Sequence, residues 1–439
     1  MEKRYTFSEE LINKTIKELN ITDLGTATIG EVARLASTLE KETGVPFIRM
    51  DQGAPGFDAC KIGIEAEKKA LDTNVASKYP SPYGVGILKK ESSIFIKAFL
   101  NIDISPRSCI PTTGSVTASF GSMIACSQRE EKKDTILFLD PGFPIHKAQL
   151  NITGTKYLSF DIYNFRGEAL IQKIEKFLAK GNICAILYSN PNNPAWVCLT
   201  EKELKQIGAL ADKYDVTILE DLAYFGMDYR TNFGKPFEKP YIPTIAKYTD
   251  NYILMLSASK IFSYAGQRMA ICCISDKLFE KRHQQLAKRY NNAGIFGDTL
   301  VNSILYMITS GATHTTQYGY AEMLKSATDG KYNFVEAVKG YAERTEKMKH
   351  CFEKHGFHVV YNKDIDEQIS DGFFFTIGYK NMNCAEIMKE LLHYGISSIT
   401  LSSTGSEENG IRACSSQMVD KMFPILEERL YAFELDNKE

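Results

Sequence analysis

Five short apolar runs alternate with amphipathic stretches through the middle of the chain, and this alternation constrains the fold more than any other feature. The runs are rich in Ile, Leu and Cys, and polar residues do not alternate through them. Strands buried on both faces have this composition, so the pattern favours a parallel sheet covered by helices. The runs are TILFL (135–139), ICAILYS (183–189), VTILE (216–220), YILMLS (252–257) and MAICCIS (269–275).

The stretch between the second and third runs predicts a helix that would complete a βαβ unit. It reads LTEKELKQIGALADKYD (199–215), with Thr200 at the N-cap and Glu203 at the third helical position. A hydroxyl followed three residues later by a glutamate is the capping-box signature of a helix start.

The two ends of the chain have a different pattern. Residues 8–43 are mostly helical in pattern, and Ser8 is a plausible first cap. After about residue 305 a helical region (315–354) is followed by short apolar segments and two further helices in small blocks. Such blocks predict a second, smaller α+β domain.

Composition excludes several classes of protein. Lys and Arg total 52 and Asp and Glu total 54 in 439 residues, a net charge of −2 that argues against a basic surface for nucleic acid. The 44% hydrophobic and 24% charged fractions are ordinary for a soluble globular protein. No apolar run approaches the roughly 20 residues that span a membrane. We therefore expect neither a nucleic-acid nor a membrane partner, and no metal site.

The cysteines and the start of the chain favour a cytoplasmic location. None of the 10 cysteines forms a CxxC pair, and Cys272-Cys273 lies inside an apolar run as core filler. The start, MEKRYTFSEELINKT, has no apolar stretch of the signal-peptide type. This pattern is typical of reduced thiols in a reducing compartment.

Polar motifs follow three of the predicted strands, where ligands of an open α/β sheet bind. Asn190-Pro191-Asn192-Asn193-Pro194 follows the second run, Asp221-Leu222-Ala223-Tyr224 the third, and Ala258-Ser259-Lys260 the fourth, with Arg268 further on. Upstream, Thr112-Thr113-Gly114-Ser115 opens a predicted helix, and such a start binds anions. Together they meet the needs of pyridoxal 5′-phosphate: a lysine for a Schiff base, an acid for the ring nitrogen, donors for the ring oxygen and a phosphate cradle.

In their order these motifs resemble those of the class I/II pyridoxal-phosphate aminotransferases of fold type I, over nearly the whole chain. Three positions depart from the family pattern: Ala195-Trp196 stands where Thr-Gly is usual, and Ala270 stands where a glycine is usual. The elements that carry the resemblance are Asp51–Phe57, Tyr79–Leu88 (YPSPYGVGIL), Asp140–Pro144 (DPGFP), Asn193-Pro194, Asp221 with Tyr224, Ser257-Ala258-Ser259-Lys260 with Arg268, and Gly410-Ile411-Arg412.

The resemblance implies three catalytic residues. Lys260 would form the Schiff base and, once freed by the substrate amine, carry the proton between Cα and C4′ as a general acid/base. Asp221 would pair with the pyridine nitrogen and make the ring an electron sink. Tyr224, with Asn193, would donate to the ring oxygen.

The resemblance also implies the binding residues. The phosphate would be held by Gly114, Ser115, the backbone N–H of Val116, Ser257 and Arg268, and by Tyr79 of a neighbouring subunit. Phe143 would stack on the ring, whereas Ser259 and His146 are given structural roles. Arg412 would fork the substrate α-carboxylate, with Asn193 and Gly53 also in the substrate site.

The implied protein is a homodimer that moves an α-amino group from an amino acid to a 2-oxo acid. Its large domain would span 55–305, and a discontinuous small domain would combine 1–54 and 306–439. The same cofactor site also serves lyases, so a carbon–sulfur β-lyase or an amino-acid β-decarboxylase stays open. A non-catalytic pyridoxal-phosphate-binding regulator is the remaining alternative. Lys288 or Arg289 would be the candidates for a contact with the substrate side chain, which the sequence leaves undecided.

Overall fold

A seven-stranded sheet forms the centre of the structure, a computed structural model that describes residues 3–370 and 372–438. Its strands, in chain order, are β1 (Cys109–Thr112), β2 (Thr135–Asp140), β3 (Lys156–Asp161), β4 (Ile183–Ser189), β5 (Thr217–Leu222), β6 (Tyr252–Ser257) and β7 (Ala270–Ile274). The spatial order is β1-β7-β6-β5-β4-β2-β3. β7 runs antiparallel to both neighbours, and the other pairs are parallel.

The predicted α/β class with a mostly parallel sheet is confirmed, and all five apolar runs are strands. Two strands, β1 and β3, were not predicted from the sequence. β1 is only four residues long and contains Pro111, which a strand pattern disfavours. β3 lies at the sheet edge, and most of its first four residues are exposed, so it lacks the apolar run of its neighbours.

Helices cover both faces of this sheet. Alternate residues of β2 enter different apolar cores: Leu137 and Leu139 enter one, and Ile136 and Phe138 the other. The first core also contains residues of the helix Glu201–Tyr214, and the second contains residues of the helix Ser115–Gln128. Burial on both faces explains why these strands are continuously apolar.

The predicted capping box opens the helix after β4. The hydroxyl of Thr200 accepts from the N–H of Glu203 at 3.2 Å, and the Glu203 carboxylate accepts from the N–H of Thr200 at 2.9 Å. Glu203 is fully buried and also pairs with Arg166 at 2.8 Å.

A third apolar core combines the two ends of the chain. Residues from Phe7 to Met50 pack there with residues from Met348 to Phe433. Strand Ile48–Arg49 pairs in parallel with Ile396–Ser397. A four-stranded antiparallel sheet has the order Ile399–Thr400, Ile411–Cys414, Phe374–Tyr379, Phe357–Val359, and a hairpin pairs Lys363–Asp364 with Glu367–Gln368.

The boundaries at 54/55 and 305/306 stay predictions. Helix His314–Thr328 packs against Lys61–Leu71 and Gly86–Leu100, which belong to the large-domain side of the chain. From this packing we propose a second boundary beyond Thr328.

The α-helices are Glu9–Glu18, Ile29–Thr43, Lys61–Leu71, Gly86–Leu100, Ser115–Gln128, Pro144–Thr153, Glu168–Leu178, Glu201–Tyr214, Ala258–Ile261, Asp276–Glu280, Gln284–Tyr290, Phe296–Asp298, Tyr306–Thr309, His314–Thr328, Phe334–Val338, Gly340–Lys354, Cys384–His393 and Phe423–Asp436. Thr299–Leu305 is a π-helix, and six 3₁₀ turns are Val75–Ser77, Pro106–Ser108, Ile245–Lys247, Ala265–Gln267, Ser402–Thr404 and Asp420–Met422. Within residues 3–370 and 372–438, no helix combines the length and the apolar character needed to cross a membrane.

Candidate active site

A cavity of about 500 Å³ lies at the carboxyl ends of β4, β5 and β6. Most residues predicted from the sequence line it, although they come from segments as distant as residues 53 and 412. Those residues are Gly53, Ser115, Val116, Phe143, Asn193, Asp221, Tyr224, Ser257, Lys260, Arg268 and Arg412.

Four predicted or candidate residues are not among the lining residues. Gly114 adjoins the cavity beside Arg268, and the other three lie elsewhere. Tyr79 is 91% exposed and is not part of the cavity wall. Lys288 and Arg289 lie in the helix Gln284–Tyr290, which does not line the cavity. Within this chain, therefore, neither basic residue is placed to contact a substrate.

Lys260 lies in the short helix Ala258–Ile261 that begins where β6 ends. The hydroxyl of Ser257 caps this helix by accepting from the N–H of Ser259 at 3.1 Å. The Lys260 amine donates to the carbonyl of Gly53 and lies 5.0 Å from the ring centre of Phe373. Burial, with two arginines nearby, lowers the pKa of Lys260 to about 8.

Asp221 is the penultimate residue of β5 and is 4% exposed. One carboxylate oxygen accepts from the N–H of Ala223 at 3.1 Å. Burial raises the pKa of Asp221 to about 7, and the Lys260 charge and the Ala223 hydrogen bond only partly oppose this shift. Among the described residues, the carboxylate therefore lacks a strong cationic partner.

His146 is a residue near the site that the sequence analysis left with a structural role. Its Nε2 lies 3.7 Å from the second carboxylate oxygen of Asp221, and burial lowers the pKa of His146 to about 4. The ring is therefore neutral at pH 7 and adds no charge beside Asp221. The sequence signal for this location was the spacing of three residues from Phe143, which brings two side chains together at a helix start. In the structure the Phe143 and His146 rings meet edge to face at 5.6 Å.

Asn193 is held by the turn that follows β4. Its N–H donates to the hydroxyl of Ser189 at 3.1 Å, while its buried Oδ1 has no hydrogen-bond partner among the described residues. The neighbouring Asn192 fixes the turn by donating to the carbonyl of Pro141 at 2.7 Å. A buried polar atom without a partner is costly in a finished protein, so this atom indicates a missing ligand.

Trp196 fills the space behind Tyr224. Its side chain is fully buried, donates to the carbonyl of Met227 at 3.3 Å, and lies 5.1 Å from the Tyr224 ring. A Cβ at Gly372 would approach Trp196 to 1.9 Å, so glycine is required there. Ala195-Trp196, which stands where the family usually has Thr-Gly, thus places an indole beside Tyr224.

Gly114 and Arg268 form a positively charged corner at the start of the helix Ser115–Gln128. Gly114 has a φ of +78°, and a Cβ there would come within 2.4 Å of the Arg268 guanidinium. Arg268 is anchored by donating to the carbonyl of Ala265 at 2.9 Å. Ser115 begins the helix Ser115–Gln128, whose N-terminus favours an anion.

Arg412 lies on the opposite side, in the strand Ile411–Cys414. It is 1% exposed, donates to the carbonyl of Asp51 at 2.6 Å and lies 4.4 Å from the ring centre of Phe374. Its buried Nε has no partner among the described residues. A buried guanidinium with unused donors is suited to bind a carboxylate.

The segment Asp51–Phe57 closes one wall of the cavity. Arg49 pairs with Asp51 through two contacts of 2.9 Å, and Gln417 donates to the carbonyl of Pro55 at 2.6 Å. Further lining residues that sequence reasoning did not single out are Ile29, Ile145 and Phe374. They carry no polar motif, so nothing local to them predicts this location.

No group of three or more His, Cys, Asp or Glu side chains suited to hold a metal ion occurs in the described ranges.

The solved structures compared with this chain share its fold. The alanine aminotransferase from Pyrococcus furiosus superposes with a TM-score of 0.76 at 20% identity, covering 96% of this chain and 99% of that one. A double mutant of the Thermus thermophilus aspartate aminotransferase gives 0.75 at 17% identity, covering 95% and 98%. At these identities the likeness establishes the fold alone.

Sequence comparison identifies relatives and a family. The probable aspartate aminotransferase of Methanocaldococcus jannaschii is 27% identical over 232 residues, 53% of this chain and 58% of the relative. The aspartate aminotransferase of Pyrococcus horikoshii is 26% identical over 61% of this chain and 64% of the relative. The matches thus span less than two thirds of these relatives. A sequence model of the family "Aminotransferase class I and II" matches residues 45–430, so the chain belongs to this family.

Proposed function

We propose that the protein is a pyridoxal-phosphate-dependent aminotransferase that moves an α-amino group from an amino acid to a 2-oxo acid. One observation carries the proposal. Three cations and one carboxylate meet in a single cavity at the strand ends: Lys260, Arg268, Arg412 and Asp221. Family membership and relatives named as aminotransferases support the same activity.

The residues of the cavity fit pyridoxal 5′-phosphate. Asn193 lines the cavity, and its buried Oδ1 has no hydrogen-bond partner among the described residues. A half-turn of the amide exchanges its oxygen and its NH₂ group, so this side chain can present a donor to a ligand oxygen. The corner formed by Gly114 and Arg268 would hold the phosphate, with the hydroxyls of Ser115 and Ser257 and the N–H of Val116. Asp221 would accept a hydrogen bond from the ring nitrogen, and Phe143 would cover the ring face. Asn193 and Tyr224 would donate to the ring oxygen.

When bound, the cofactor supplies an aldehyde that condenses with amines and a ring that withdraws electrons from the amino acid Cα. Lys260 contributes the base. Its pKa of about 8 leaves an appreciable neutral fraction near pH 7, so its amine can take the proton from Cα and later return it. Asp221, buried at its strand end, would pair with the ring nitrogen and favour its protonated form.

Arg412 orients the amino acid. Its unused donors would fork the α-carboxylate, and the Asn193 side chain and the backbone of Gly53, which also line the cavity, would contact the substrate. Holding the α-carboxylate at Arg412 and the amine near Lys260 fixes Cα beside its base.

A single-turnover experiment tests the proposal. The holoenzyme is mixed with an amino acid and no 2-oxo acid, and the products are quantified. An aminotransferase releases one equivalent of the matching 2-oxo acid per active site and no ammonia, and a second 2-oxo acid then restores it. Continuous release of ammonia and pyruvate, or of carbon dioxide, would instead indicate a lyase or a decarboxylase. An absence of any reaction across a panel of amino acids would indicate a binding protein.

We further propose a cytoplasmic homodimer. The 91% exposure of Tyr79, outside its own cavity, suits a side chain that reaches the phosphate of a partner subunit. Met307 and Ile87 are also exposed, at 70% and 45%. All ten cysteines are free thiols, which suits a reducing compartment. Sedimentation at micromolar concentration should give a dimer, and a monomer with full activity would contradict the proposal.

A further inference from the structure

Apolar side chains line the cavity together with its charged groups. Ile29, from the first turn of the helix Ile29–Thr43, and Ile145, from the first turn of Pro144–Thr153, line it together with Pro55 and Phe374. Ile145 is 38% exposed, so its side chain remains accessible although it lines a concavity. Accessible apolar side chains in a concave site favour an apolar ligand group.

Each cation that lines the cavity already has a role in the proposed function. Lys260, Arg268 and Arg412 are the lysine and arginine side chains that line it in the described part of the chain. In the proposed function they serve, respectively, the amine, the phosphate and the α-carboxylate. A second carboxylate on a substrate side chain would therefore lie against apolar surface without a pairing cation from the described residues of this chain, whereas an apolar side chain would bury area there.

We propose that this active site is selective for amino acids with apolar side chains, such as leucine, methionine and phenylalanine, over aspartate and glutamate. The inference rests on the proposed function, because it assigns the three cations as that function does. The apolar wall, with Ile145 and Ile29 at its accessible edge, receives the substrate side chain. Gln52 is the neutral polar side chain on the same wall and offers no countercharge.

The first test compares amino donors on the holoenzyme. We expect kcat/KM for leucine, methionine or phenylalanine to exceed that for aspartate by about 100-fold, the scale on which a pocket separates groups that differ in size or pairing. Aspartate or glutamate within tenfold of the best apolar donor, or better, would overturn the inference. In that case transamination itself would stand. If no donor reacts at all, the proposed function fails, and the next measurement still addresses the pocket.

The second test measures binding without turnover. Calorimetry on the holoenzyme compares the monocarboxylates 4-methylpentanoate and 3-phenylpropionate with the dicarboxylate succinate. We expect both monocarboxylates to bind at least about tenfold more tightly than succinate, because the apolar wall covers their chains. Tighter binding of succinate would overturn the inference.

The third test changes the charge and the size of an apolar lining residue. Ile145→Lys adds a cation, and we expect it to raise the aspartate-to-leucine ratio of kcat/KM about 10- to 100-fold. Ile145→Ala should lower the leucine-to-alanine ratio about tenfold. Ile152 lies in the same helix, is 76% exposed and does not line the cavity, so Ile152→Lys is the matched control with unchanged ratios. An Ile145→Lys enzyme with wild-type ratios would overturn the assignment of this wall.

Discussion

Two regions of the cavity, its floor and its mouth, differ in polarity and in exposure to solvent. We define the floor as Asn193, Asp221, Tyr224, Ser257 and Lys260, and the mouth as Ile29, residues 52–55 and Ile145. The floor is polar and, apart from the half-buried Lys260, buried, with Asp221 and Asn193 each 4% exposed. Ile145 at the mouth is 38% exposed and apolar. From this contrast we expect the floor to carry out the chemistry and the mouth to select among substrate side chains.

The two regions also differ in how they are held. Asp221 pairs in register with Ser189 on one side and Met255 on the other, so the sheet fixes its backbone. Ile29 and Ile145 stand at helix starts, outside any strand. Substitutions in the floor should therefore change the rate for every substrate, and substitutions in the mouth should change the preference among substrates.

The largest effect is expected at Lys260. Lys260→Ala should lower kcat at least about 10⁴-fold for all amino donors, because it removes the group that moves the Cα proton. The measurement is the rate at which 2-oxo acid is released in a single turnover. Lys331→Ala is the control, since that side chain is 71% exposed. Retention of more than about 1% of the wild-type rate would contradict the assignment of the floor.

Asp221→Asn should lower kcat about 10²- to 10³-fold, a loss comparable to that of one preorganised electrostatic group. The amide keeps the size of the side chain and removes the charge that would face the ring nitrogen. Steady-state rates with several donors measure the loss. Asp250→Asn is the matched control because its side chain is 61% exposed. A loss below tenfold, or one confined to some donors, would contradict the role of Asp221 in a step that all donors share.

Arg412→Lys should raise KM about 10- to 100-fold, the range for losing a hydrogen bond to a charged group. Lysine keeps the positive charge but cannot fork a carboxylate. Because every donor carries the same α-carboxylate, KM should rise by one common factor. Arg107→Lys, with a 51% exposed side chain, is the control. A factor that varies with the donor side chain would contradict the assignment of Arg412 to the α-carboxylate.

The smallest effect concerns the stability of the cofactor-free protein. Asp221 has a pKa of about 7 in the folded protein against an ordinary value of 3.8, so between these values the folded state holds a proton that the unfolded chain has released. The free energy of unfolding should therefore fall as pH rises through this window, by up to about 1.4 kcal/mol per pH unit from this group.

Urea unfolding of wild type and Asp221→Asn at pH 5 and pH 7 measures this contribution. We expect the stability difference between the two proteins to change with pH in favour of the variant at pH 7. Lys260 has the opposite sign: its pKa of about 8 lies below 10.5, so stability should rise with pH between those values. Parallel pH profiles for wild type and variant would show that Asp221 is not desolvated as described.

The floor was predictable because its signals are local. Lys260 and Asp221 follow apolar runs directly, and parallel strands bring their carboxyl ends to one edge. The large sheet was predictable for the same reason, apart from β1 with Pro111 and the exposed edge strand β3.

The mouth was not predictable because its neighbours are remote in sequence. Ile29 and Arg412 line the same cavity, and no motif around Ile29 distinguishes it from any amphipathic helix start. The contact of His146 with Asp221 also depends on how a helix packs on the sheet, which periodicity does not specify.

Trp196 gives the protein a built-in optical probe. It is the single tryptophan of the chain, it is shielded from water, and it lies beside the ring of Tyr224. Emission excited selectively in the indole therefore comes from one position at the back of the floor. Cofactor loading, ligand occupancy and local loosening can each be followed by fluorescence on the unlabelled wild-type protein.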